Sequence, residues 1–86
     1  MTQIYIVIVD SDVTSAPEAS EDLVILDQGL YLVRTSQSRS ELYHAVKRRL
    51  APRKLVVAPL SDMPKFKGLA PRSTTFARRL FTSPKS

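Results

Sequence analysis

The sequence predicts an α+β domain: about four strands in an antiparallel sheet, one main helix and a short C-terminal helix. Three observations carry that prediction. Four short runs are rich in β-branched and aromatic residues, at positions 3–9, 23–26, 30–35 and 54–59. Between the third and fourth lies an apolar pattern of helical period, opened by a capping signal and closed by a proline. A glycine-containing connection between the second and third runs reads as a hairpin.

The first run, Gln-Ile-Tyr-Ile-Val-Ile-Val, is apolar on both alternating faces, the pattern of a central strand covered on two sides. Residues 10–22 are polar with Pro17 in their middle, which predicts a loop with a short helical turn starting at that proline. Asp27, Gln28 and Gly29 then join the second and third strands, with the glycine where a left-handed backbone is needed. In the third strand Leu30, Leu32 and Arg34 share one face and Tyr31, Val33 and Thr35 the other.

Ser38 and Glu41 make a capping box, and Leu42, Ala45, Val46 and Leu50 follow at helical spacing. Lys47, Arg48 and Arg49 fall in the last turn, where cations suit the helix dipole, and Pro52 ends the helix. The fourth strand, 54–59, is again apolar on both faces. Pro59, Pro64 and Pro71 then punctuate a basic segment expected to lie irregularly on the surface. A helix over 73–81 would bury Phe76, Ala77, Leu80 and Phe81, leaving residues 82–86 as a frayed tail to a single domain of residues 1–81.

Strand, loop, hairpin, helix, strand and tail in that order match a ferredoxin-like unit whose first helix has shrunk to a loop. The second face of such a sheet needs a cover, from the C-terminal segment or from a second copy of the chain.

With 86 residues the chain buries only about 60–65% of its unfolded surface, enough for one modest core. It has no cysteine, which excludes disulfides, thiolate metal sites and a catalytic thiol, and fits a reducing, cytoplasmic setting. The start carries no basic residue, and the apolar run at 4–9 is shorter than a secretory core. No stretch is long enough to span a bilayer, so no membrane partner is expected.

Charge is segregated along the chain. All of Asp10, Asp12, Glu18, Glu21, Asp22 and Asp27 precede residue 34, with no Lys or Arg among them, whereas all 13 basic residues follow, against only Glu41 and Asp62. That asymmetry points to an anionic partner for the latter part or to charge pairing within or between chains. One basic set is Arg39, Lys47 and Arg48 with Arg53 and Lys54 just beyond Pro52, while Arg49 borders the core. The other is Lys65, Lys67, Arg72, Arg78 and Arg79, interleaved with Phe66 and Phe76, which either fill the core or stack on bases. Such sets bind phosphate backbones through counterion release.

Nucleophilic catalysis has no support. Ser11, Ser36, Ser38 and Ser40 lack a glycine-rich elbow, the two glycines cannot build a phosphate-cradling loop, and His44, the single histidine, reads as a helix-surface residue. Asp10 and Asp12, at the carboxyl end of the first strand, are either a polar turn or a pair able to hold Mg²⁺ through water.

Three stretches carry a resemblance: residues 4–10, a hydrophobic strand ending in aspartate; 29–35, Gly-Leu-Tyr-Leu-Val-Arg-Thr, leading into the capped helix; and 55–60, Leu-Val-Val-Ala-Pro-Leu. Together they are similar to the small CRISPR-associated adaptation subunit and its relatives, including small toxin-like endoribonucleases. The resemblance covers about two-thirds of the chain and implies a ferredoxin-like fold, dimerisation through the sheets and, in some members, metal-dependent nuclease activity with Asp10 matching the ligand. The expectation from all of this is a non-enzymatic, dimeric module that binds nucleic acid or another polyanion and needs no cofactor. Its alternatives are a regulatory or inhibitory protein docking on a cellular or host protein, and a Mg²⁺-dependent endonuclease.

Overall fold

A computed structural model describes residues 2–10, 17–69 and 72–82. The elements are β1 (Gln3–Val9), β2 (Leu23–Asp27), β3 (Leu30–Thr35), α1 (Arg39–Leu50), β4 (Leu55–Leu60) and α2 (Ser73–Thr82). The strands form one antiparallel sheet in the order β2-β3-β1-β4. That is the order and direction of a ferredoxin-like sheet, with α1 in the second crossover. In the described part of the first crossover the helical turn expected from Pro17 does not form. Ser20 instead exchanges two backbone hydrogen bonds with Leu23, which turns the chain directly into β2.

Alternation along the strands sorts the core into two layers. Tyr5, Val7, Val9, Tyr31 and Leu42 are buried on the face that α1 covers. Val24, Leu26, Leu32, Ala77 and Leu80 are buried on the other, beneath α2 and the segment carrying Met63, Phe66 and Leu69. The C-terminal part of the same chain therefore covers the second face.

That cover is incomplete. Ile8 and Val56, cross-strand partners on the α2 face, remain 41% and 51% exposed, so β1 and β4 are not sheathed on both sides as their composition suggests. On the last helix Ala77 and Leu80 are buried and Phe81 packs against their cluster as expected, but Phe76 does not. Ser73, Ala77 and Leu80 face the sheet, where two small side chains allow close approach, and Phe76 turns outward at 42% exposure. Thr82 belongs to the helix, donating its hydroxyl to the Arg78 carbonyl, and the rest of the expected tail lies outside the described residues.

Two local devices fix the frame. At the hairpin Gly29 takes φ 77° against the end of β1, and the Val9 N–H donates to its carbonyl at 2.8 Å. The connection is two residues, Gln28 and Gly29, because Asp27 completes β2. On the α2 face the Arg34 side chain, 8% exposed, donates to Asp22 Oδ1 at 3.0 Å, to the Leu80 carbonyl at 3.1 Å and to the Glu21 carbonyl at 3.2 Å. One guanidinium thus joins β3, the end of the first crossover and the last turn of α2.

Hydrogen-bond parity decides what the sheet edge offers. Since Val9 bonds toward Gly29, the odd residues of β1 point their backbone groups at β3 and the even ones at β4. Pro59 stands opposite Tyr5, so its ring nitrogen faces outward, where no ladder bond is lost. Leu55 and Val57 then present N–H and C=O along the outer edge of β4, and Pro59 a carbonyl alone. No described residue pairs with that edge.

Candidate nucleic-acid interface

The capping box forms as the sequence predicts. Glu41 N–H donates to Ser38 Oγ at 3.1 Å, and Ser38 N–H donates to Glu41 Oε1 at 2.8 Å. From that start α1 runs to Leu50, carrying Lys47, Arg48 and Arg49 in its last turn. Ala51 stops it in a left-handed conformation, φ 47° and ψ 49°, with its N–H on the Lys47 carbonyl at 3.0 Å. Pro52 follows and forbids a helical continuation, so the chain turns sharply through Arg53 and Lys54 into β4.

Asp10 holds that turn in place. Its Oδ1 accepts the N–H of Arg53 at 2.9 Å and that of Lys54 at 3.1 Å. The Lys54 N–H does most to keep the carboxyl below the usual aspartate range, and the Arg53 N–H and charge add to it. The Asp10 side chain is therefore a clamp between the end of β1 and the basic turn. Lys47, Arg48, Arg49, Arg53 and Lys54 are all exposed, and among the described residues none of the five forms an ion pair with a carboxylate. Five cations stand at one end of the molecule on a helix terminus and a pinned loop, a geometry suited to successive phosphates.

The remaining cations do not join them. Arg39 opens α1, nine residues before Arg48 and about 14 Å along the helix axis. Lys65 and Lys67 flank Phe66 on the segment over the α2 face, and Arg78 and Arg79 project from α2, so the sheet separates these four from the α1 cluster. The basic latter half of the sequence thus folds into two basic surfaces. The aromatics divide as well: Phe66 packs into the α2-face core, whereas Phe76 is open to solvent with the Arg79 guanidinium 5.8 Å from its ring centre.

Comparison with family models, curated proteins and solved structures finds no significant match. The residues themselves must carry the reading.

For metal chemistry, Asp12 lies outside the described residues and Asp10 Oδ1 is committed to two backbone donors. Among the described residues no group of three His, Asp or Glu side chains comes together. The described residues alone do not make up a metal site, and no metal-dependent step follows from them. His44 is exposed on α1 and meets the Tyr43 ring edge-on at 5.3 Å, with no carboxylate partner among the described residues.

Two residues matter more here than their sequence context suggests. Asp10 acts on the basic turn 43 residues away, a contact no local pattern could reveal. Arg34 had a signal: it is the lone cation in an apolar strand, on the same face as Leu30 and Leu32.

Proposed function

We propose that this chain is a non-enzymatic binding module that contacts nucleic acid or another polyanion through the basic end formed by α1 and the following turn. The observation that supports the reading is the set of five exposed cations, Lys47, Arg48, Arg49, Arg53 and Lys54, none of whose side chains forms an ion pair among the described residues. Lys65, Lys67, Arg78 and Arg79 with Phe76 form a second surface, to which a long strand could extend around the β2 side or the β4 side. If about four phosphates are neutralised at the first surface, affinity for a mixed-sequence oligonucleotide falls about 50- to 150-fold between 50 and 200 mM salt. Arg48→Glu with Arg53→Glu abolishes the binding. An oligonucleotide that does not bind at low salt, or binds with no salt dependence, overturns the reading.

A specific observation favours one further reading, docking on another protein. The outer edge of β4 offers unpaired backbone groups at Leu55 and Val57 beside the exposed Val56 and Ile8, which suits strand addition. A second copy of the chain, expected from the sequence on the sheet face that the C-terminal segment covers, would instead use this edge. Sizing of the purified chain reports that dimer directly, and Val57→Pro, which removes an outward N–H, should return it to a monomer. A stoichiometric partner that survives nuclease treatment, and is lost in the same variant, would favour protein docking over polyanion binding.

A further inference from the structure

Beside the packed core under α1, the described residues leave an opening. A groove of about 620 Å³ lies between α1, β3 and the first crossover at Pro17 and Glu18, within the usual size range of a small-molecule site. Its walls are mainly apolar, with Leu23 and Val33 from the sheet and Ala45 and Val46 from the helix, and Gln37 adds a polar group.

Two residues that line it, Tyr31 and Arg49, carry polar groups without a partner among the described residues. Tyr31 is 4% exposed, yet among the described residues its hydroxyl has no hydrogen-bond partner, and it is not sealed from solvent. The contrast with Tyr5 is direct: on the same sheet face Tyr5 donates to the Gln37 carbonyl at 3.1 Å. Arg49 borders the groove without a carboxylate partner among the described residues. Both belong to the same end of the sheet. The helix leaves the far end of β3 and runs back, so that its last turn precedes Leu55, which pairs with Val9, itself bonded to Gly29 just before Tyr31. Glu18 also borders the groove, so the opening carries both signs and disfavours a multiply charged guest.

We propose that this groove binds a small monocarboxylate with an aliphatic or aromatic body. The body lies against the apolar walls, and the carboxylate takes the Arg49 guanidinium with the Tyr31 hydroxyl as a second donor. The site shares Arg49 with the polyanion surface but not Tyr31 or the apolar walls, so decanoate binding and oligonucleotide binding are tested separately.

The probes are decanoate and its neutral counterpart decanol, titrated into the full chain by calorimetry and by NMR. Decanoate should saturate at one per chain with Kd below about 1 mM, and decanol should bind at least tenfold more weakly. Arg49→Gln should weaken decanoate by about ten- to a hundredfold, as expected for losing a charge-assisted hydrogen bond, and leave decanol unchanged. Tyr31→Phe, which keeps the ring and removes only the hydroxyl, should weaken decanoate by a smaller factor. Thermal melts of both variants establish that they fold. Equal affinity for the two probes, no saturable binding at millimolar concentration, or an Arg49→Gln chain that binds decanoate as well as the parent would each overturn the proposal.

Discussion

Gly29 and Gly68 share one backbone angle, φ 77°, and differ in what surrounds them. A Cβ at Gly68 meets nothing within 4 Å, whereas one at Gly29 stands 2.6 Å from the Val9 carbonyl oxygen, a backbone atom in the central strand. Alanine at either site costs about 1–2 kcal/mol for the left-handed conformation, offset by about 0.4–1 kcal/mol from restricting the unfolded chain. Gly68→Ala should therefore lose about 0.5–1 kcal/mol. At Gly29 the contact forces β1 and the hairpin apart, which adds about 1–3 kcal/mol and weakens the Val9–Gly29 hydrogen bond. Gly29→Ala should lose about 2–4 kcal/mol, a large share of the roughly 4–13 kcal/mol expected for a domain this size. Urea unfolding followed by far-UV circular dichroism measures both, and the melting point of Gly29→Ala should drop by about 10–25 °C. If the two variants lose equal stability, the close approach of hairpin and β1 is not what requires glycine at position 29.

Arg34→Ala should cost about 2–4 kcal/mol in the same urea assay, because it removes three hydrogen bonds from a nearly buried cation and leaves the Leu80 carbonyl and Asp22 without it. Arg34→Lys should recover little, since one ammonium cannot reach all three acceptors. Ala51→Gly should stabilise by about 0.5–1 kcal/mol, because glycine takes the left-handed C-cap that alanine holds under strain. Asp10 and Glu41 both have lowered carboxyl pKa values, Asp10 chiefly from the Lys54 N–H and Glu41 chiefly from the Ser38 N–H. Their contributions are therefore complete above the unfolded values near 4 and are lost as pH falls through the lower folded values. The Asp10→Ala, Glu41→Ala double variant should have a lower urea midpoint than the parent at pH 7, and the gap should narrow as pH falls through the lowered carboxyl values.

The parts of the fold that rest on short-range chemistry were legible in the chain. The Ser38–Glu41 box and Pro52 set the bounds of α1, and the β-branched run at 3–9 marked the central strand, because each signal lies within a few residues of its effect. Phe76 departs from its helical pattern for a tertiary reason. Helical spacing allowed it on the buried side, but the close seat of α2 on the sheet is won by Ser73 and Ala77, whose smallness matters only once the partner surface is known. The basic residues show the same limit: their order along the chain is a single block, and only the sheet running between α1 and α2 reveals that they occupy two surfaces. The Asp10 clamp and the open Tyr31 hydroxyl depend on pairs far apart in sequence, which no periodicity encodes.

The guanidinium of Arg34 also bears on the order in which the molecule is completed during synthesis. The roof over Leu26 and Leu32 stays partial, with only the segment of Met63, Phe66 and Leu69, until Ala77 and Leu80 have been made, and the Leu80 carbonyl that locks it down comes from α2. A nascent chain still short of that helix carries a greasy, half-dressed sheet with a bare β4 margin, the state most open to chaperone capture or to clumping with its neighbours. Until α2 has been made, this face of the sheet cannot close.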